Sequence, residues 1–151
     1  DRADFRGSPC GRTYAAVISD VATTVKEPRI RPQRLGSLPG FSRANFIGLG
    51  GVTFAYTDFA IPTTADPRRA LATRVRTTCE GPDAWVSVRA LYSEPVPSVA
   101  DTLCSLGTYA GEFLYGSRGL EVDPTRINPI PTFAGGGPAW PSGYAITVLF
   151  P

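Results

Sequence analysis

Two pairs of acids are the first candidates for chemistry: Glu112 with Glu121, and Asp83 with Glu94. A glycosidase needs two carboxyl groups flanking one bond. No spacing in the chain places either pair together. Histidine is absent, which removes the commonest general base and the usual partner of a serine or cysteine nucleophile. Cys10, Cys79 and Cys104 are the only cysteines. They are too few and too widely spaced for a four-ligand zinc site. One disulfide or three free thiols remain open. Three buried free thiols are the expected state, and they suit a reducing compartment. The sequence therefore points away from an enzyme.

Fourteen of the fifteen cations are arginine, and Lys26 is the single lysine. Arg29, Arg31 and Arg34 cluster among prolines, and Arg68, Arg69, Arg74 and Arg76 follow. Guanidinium forks match phosphate and carboxylate; the alternative is a solvated loop and an exposed strand face. A net charge of +2 does not by itself ask for nucleic acid. Trp85, Tyr92, Phe113, Tyr115, Phe133 and Trp140 offer rings for a sugar or base platform. Core or interface anchoring is the commoner use of such residues. Asp58 ends the apolar-rich run "GVTFAYTD" shortly before Pro62. It is either a ligand-binding acid or a strand terminator with a local backbone bond.

The elements that must position these residues read as strands. The chain has 151 residues, 42% hydrophobic and 19% charged, which fits one domain with a real core. Fifteen prolines and sixteen glycines divide it into short segments, as in an all-β domain with long loops. No apolar run approaches the roughly 20 residues that span a bilayer, and the polar start does not look like a signal peptide. Residues 13–25 are rich in β-branched side chains and predict a strand bent near Asp20. Residues 26–40 read as a loop. Residues 45–59 hold strand material around Gly48, Gly50 and Gly51, with a bulge or tight turn there. In 69–78, Leu71, Thr73, Val75 and Thr77 alternate with Ala72, Arg74 and Arg76, a half-buried strand pattern. Residues 83–94 alternate too, with Val86, Val88 and Ala90 on one face. Val99, Leu103, Leu106, Ala110 and Phe113 then recur at helical intervals, with Ser98 and Asp101 as cap residues, and predict a helix over 98–110. Residues 123–143 read as an extended Pro/Gly connection, and 144–150 as a last strand. The expected fold is an all-β, antiparallel jelly-roll β-sandwich with one short helix. It forms a single domain over 1–151, with 1–12 irregular.

"GGVTFAYTDFAIP" resembles a strand of the shell domain in coat proteins of small icosahedral RNA viruses, the sobemovirus and tombusvirus type. Gly51, Val52, Phe54, Tyr56, Asp58 and Pro62 carry the likeness. "DAWVSVRALYSEPVPSVADTLCSLG" is similar to the family's strand and short helix at a subunit contact. "TFAGGGPAWPSGYAITVLFP" is similar to its Gly-rich approach to the last strand. The likeness covers about 100 residues, by order and pattern.

The resemblance implies a structural capsid protein, assembled in host cytoplasm and residing in the virion. It would self-associate into an icosahedral homo-oligomer around packaged RNA, bound without sequence preference and without a membrane. It implies that Asp58 binds calcium at subunit interfaces. The family's second acid, three residues on, is Ile61 here, and calcium wants six to eight oxygens. Arg29, Arg31, Arg34, Arg74 and Arg76 would face the nucleic acid and neutralise its phosphates. The alternative is a secreted β-sandwich binding module for carbohydrate or protein, using the 123–143 loop.

Overall fold

The computed structural model describes residues 9–24, 39–48, 51–62 and 66–129. Among the described residues five α-helices dominate: α1 (Pro9–Thr24), α2 (Gly51–Asp58), α3 (Pro67–Cys79), α4 (Ala84–Arg89) and α5 (Leu103–Tyr115). Short 3-10 turns occupy Phe41–Arg43, Ser98–Thr102 and Pro124–Arg126. Among the described residues the strands are β1 (Phe46–Gly48) and β2 (Ile127–Pro129). They form one parallel pair in which Phe46 stands opposite Ile127. The all-β jelly-roll sandwich expected from the sequence is overturned.

The reason is visible helix by helix. In α3, Pro67, Leu71, Val75 and Thr78 are buried, while Thr73 and Thr77 are exposed. Residues four apart, such as Leu71 and Val75, are in phase with both a strand and a helix, so the alternation was ambiguous. The start signal decides it locally. Asp66 caps the helix by accepting the Arg69 N–H at 3.0 Å, and Pro67 follows at a first-turn position where its missing N–H costs nothing. In α1, Gly11, Ala15 and Ile18 turn inward. That four- and three-residue spacing prevails over the β-branched content that predicted a strand. α1 also begins within the 1–12 segment expected to be irregular. In α4, Val88 is buried and Val86 is exposed, so the two valines expected on one face lie on opposite faces.

The segment that opens with Gly51, expected to be a strand, is helical too. α2 buries Thr53, Ala55 and Tyr56. It stops in a Schellman cap: the Ala60 N–H reaches the Thr57 carbonyl at 3.0 Å, and the Ile61 N–H reaches that of Tyr56 at 2.8 Å. Both bonds satisfy carbonyls the helix leaves orphaned. The expected helix over 98–110 is partly right. Ser98–Thr102 forms a 3-10 turn without a side-chain cap bond, and the α-helix runs on to Tyr115. The readings of 26–38 and 130–143, and the strand at 144–150, lie outside the described residues.

α5 is the centre, and α1, α2 and α3 all pack on it. Small residues on α5 make that convergence feasible. Gly107 is buried, and a Cβ there would collide with the Phe59 ring and approach Val75 Cγ2 to 2.9 Å. Phe59, Leu71 and Leu103 are fully buried around this contact, each contributing about 2 kcal/mol of transfer free energy. A disulfide, Cys79–Cys104, with its Cα atoms 5.6 Å apart, ties the end of α3 to the first turn of α5. This corrects the expectation of three buried free thiols. Cys10 alone is free, and it is exposed. α4 packs on α3 and is thereby attached to the braced pair.

Candidate functional site

Asp58 stands at the last position of α2, where the helix dipole disfavours an anion. Tyr92 offsets this by donating its hydroxyl proton to Asp58 Oδ2 at 2.7 Å. Burial, then that hydrogen bond and the carboxylate charge, push the Tyr92 pKa well above the usual phenol range. Asp58 therefore joins α2 to the segment after α4 and does not end a strand. No group of three or more His, Cys, Asp or Glu side chains is gathered for a metal among the described residues.

A second polar cluster lies between α2, the start of α3 and the end of α5. The hydroxyls of Tyr56 and Tyr115 are hydrogen-bonded to each other in the interior. Burial pushes the Tyr56 pKa up to about 12, against the lowering effect of its bond to Tyr115. Burial is also the main cause of the upward shift of Tyr115, with Tyr56 adding to it. Asp66 raises both phenols, and Arg68 opposes it at Tyr115. Glu112 is 1% exposed, one turn before Gly116, the residue that caps the end of α5. Shifted titratable groups mark candidate active sites, but a substrate cannot reach side chains this enclosed. The cluster fixes how three helices meet.

Of the acid pairs, Glu112 is buried and Glu121 is exposed. Asp83 and Glu94 are both exposed, and Glu94 accepts from Arg89 at 2.6 Å. That bond first, then the Val96 N–H, holds the Glu94 carboxyl below its usual range. Of the arginines expected to face nucleic acid, Arg74 and Arg76 are exposed on α3, and Arg29, Arg31 and Arg34 lie outside the described residues. Among the aromatics, Tyr115 is core, Tyr92 and Phe113 are half-buried, and Phe133 and Trp140 lie outside the described residues. Phe113 stacks on Tyr109, whose ring meets Tyr14 of α1 edge-on.

Among the described residues, the most exposed large apolar side chains are Val86 of α4, Phe54 of α2, and Trp85 of α4 with Val17 of α1. Trp85 is 48% exposed, Val86 66% and Leu91 36%, whereas Val88 turns inward at 3%. Five residues after the disulfide-bonded Cys79, the chain thus starts a short helix that faces water with a tryptophan and a valine. Sequence reasoning singled out Trp85 but placed Val86 on the same face as Val88. The signal that was available is the pair Trp85–Val86 itself: adjacent bulky apolar residues lie about 100° apart on a helix, so a six-residue helix cannot bury both of them together with Val88.

The chain matches no protein-family model, and no curated protein matches it either. The functional reading therefore rests on the geometry described above.

Proposed function

We propose that this domain works by association and not by chemistry of its own: a disulfide-braced helical unit that self-associates through the exposed face of α4. The observation that carries the reading is the exposure of Trp85 and Val86 on a helix anchored to the braced α3. Tryptophan is strongly enriched among the residues that dominate protein interfaces, and a solvent-facing cluster of bulky apolar residues marks an interaction surface. The Cys79–Cys104 bond favours an oxidising setting such as a secreted, cell-surface or virion location, since reducing compartments keep thiols apart. Shell formation around a genome was expected with a jelly roll, and the helical fold withdraws that support. Self-association is the part of that expectation that the surface of this fold favours.

Sedimentation velocity over a wide range of concentration tests the reading. The wild-type chain is expected to shift from monomer to a defined oligomer as concentration rises. Trp85→Ala combined with Val86→Ser is expected to remain monomeric with an unchanged helical circular-dichroism spectrum, because neither side chain supports the core. A wild-type chain that stays monomeric throughout would sink the proposal.

A further inference from the structure

All three cysteines belong to one end of the helical bundle. α1 runs parallel to α5. Tyr14 meets Tyr109 ring to ring, and five residues further along α1, Arg118 from beyond the end of α5 donates to the Ser19 hydroxyl at 3.3 Å. α3 runs the opposite way, because Val75 lies beside Gly107 while Cys79, further along α3, is bonded to Cys104, further back on α5. The start of α1, the start of α5 and the end of α3 therefore share a level. Along the helix axes, Cys10 stands about 6 Å before Tyr14 and Cys104 about 7.5 Å before Tyr109. Cys10 precedes Tyr14 by four residues, so it lies on the side of α1 that carries that ring. Cys10 is exposed, and Cys79 and Cys104 are only half-buried, so the bond is open to a thiolate from outside the core.

We infer that these three sulfurs form an exchange switch, in which the Cys79–Cys104 bond is traded for one between Cys10 and Cys104. The Cys10 thiolate attacks Cys104 Sγ. The Cys10–Cys104 bond forms, the Cys79–Cys104 bond breaks, and Cys79 leaves as a thiolate that takes up the proton Cys10 gave up. One disulfide and one thiol are present before and after, so no oxidant or reductant is consumed. Packed helices keep their axes about 8–10 Å apart, and a disulfide needs Cα atoms within about 7 Å. Attack therefore requires the first turn of α1 to open. Such a turn is held by fewer intrahelical bonds than a helix interior, and helix ends open at little cost. Exchange moves the brace: α1 becomes tied to α5, and the end of α3, just before α4, is released. The switch goes beyond the association reading and does not depend on it.

Disulfide mapping tests it. The full chain is held for several hours at about pH 8 without reductant, then quenched with acid, alkylated with N-ethylmaleimide and digested unreduced. A minor form of about 1–10% is expected, in which Cys10 is joined to Cys104 and Cys79 carries the label. Cys10→Ser should show the Cys79–Cys104 bond and no labelled cysteine. In Cys79→Ala, oxidised glutathione should close Cys10–Cys104 within one chain. A wild-type map with Cys79–Cys104 in every molecule and label on Cys10 alone overturns the inference, and so does one with Cys10 joined to Cys79. A Cys79→Ala chain that keeps its helical circular dichroism but stays unclosed, or cross-links only between chains, overturns it as well. If that variant loses its helices, the wild-type map decides alone. These readouts follow sulfur connectivity and not oligomeric state, so this inference and the association reading fail separately.

Discussion

Asp58 illustrates how a residue's role depends on what faces it. Its carboxylate accepts from Tyr92, 34 residues away in sequence, in a part-buried contact where a hydrogen bond to a charged group is worth more than a neutral one. Tyr92→Phe is expected to cost about 1.5 kcal/mol in urea unfolding, since it leaves the acid at an unfavourable helix end without its donor. Asp58→Asn should cost less, because the amide oxygen still accepts. The interior phenols give a pH dependence with a definite sign. Tyr56 titrates at about 12 in the fold against 10.0 for a free phenol, so its protonated form is the one the fold favours. Stability from this group is complete below pH 10 and is lost as pH rises through 12. Tyrosinate absorbance and circular dichroism, followed together up the alkaline limb, should report ionisation of the buried phenols and loss of helix as one transition. Ionisation well before any loss of helix would contradict the burial of the Tyr56–Tyr115 pair.

At the scale of the elements, close approach and helix termination decide the outcome. Gly107 lies in the interior of α5, where its intrinsic helix propensity is poor, yet Phe59 and Val75 occupy the space a methyl group would need. Gly107→Ala gains propensity and loses more to overpacking, for a net destabilisation of about 1–2 kcal/mol. A variant more stable than wild type would show that α2 and α3 yield to α5 instead of being set by it. Ala60 is the converse case. It holds the left-handed position of the α2 cap, at φ 50°, where a Cβ is unfavourable. Ala60→Gly is expected to raise stability by about 0.5 kcal/mol, the relief of the cap outweighing the extra freedom of glycine in the unfolded chain. Thermal unfolding of both variants checks the pair, and the two shifts should have opposite signs.

For the whole molecule, the disulfide is the strongest single constraint between elements distant in sequence. Cys79 and Cys104 are separated by 25 residues, and closing a loop of that size removes unfolded-state entropy worth about 3.5 kcal/mol. Replacing both cysteines by alanine should lower stability by up to that amount. Thiol titration of the unfolded, unreduced protein should find one free thiol, that of Cys10; finding three would contradict the bond. α4 is expected to suffer most from the replacement, because it follows α3 directly and packs on it. Loss of the bond should therefore weaken self-association in step with stability.

The amino-acid sequence by itself determined that the chain has enough apolar residues to build a core, that it carries no histidine-based chemistry, and that a helix occupies the region after Ser98. The helix was legible because Leu103, Ala110 and Phe113 repeat at intervals no strand satisfies. The remaining helices were not, for a physical reason. Short apolar runs such as 51–59 and 69–78 contain pairs two and four residues apart, and four is close to a full helical turn while also being even. Period-two and period-three-point-six readings then bury overlapping sets, and β-branched content tips the choice toward a strand. Asp66–Pro67 was the local sign of a helix start that the alternation obscured. The candidate surface was half legible: Trp85 stood out as a large aromatic, but only the packing of Val88 inward could turn Val86 to the solvent. Tertiary structure alone decided which two of three cysteines pair, since spacing in sequence says nothing of where two helix ends meet. It also decided that Asp58 faces Tyr92, because a hydrogen bond across 34 residues exists only once α2 and the segment after α4 lie against a common core.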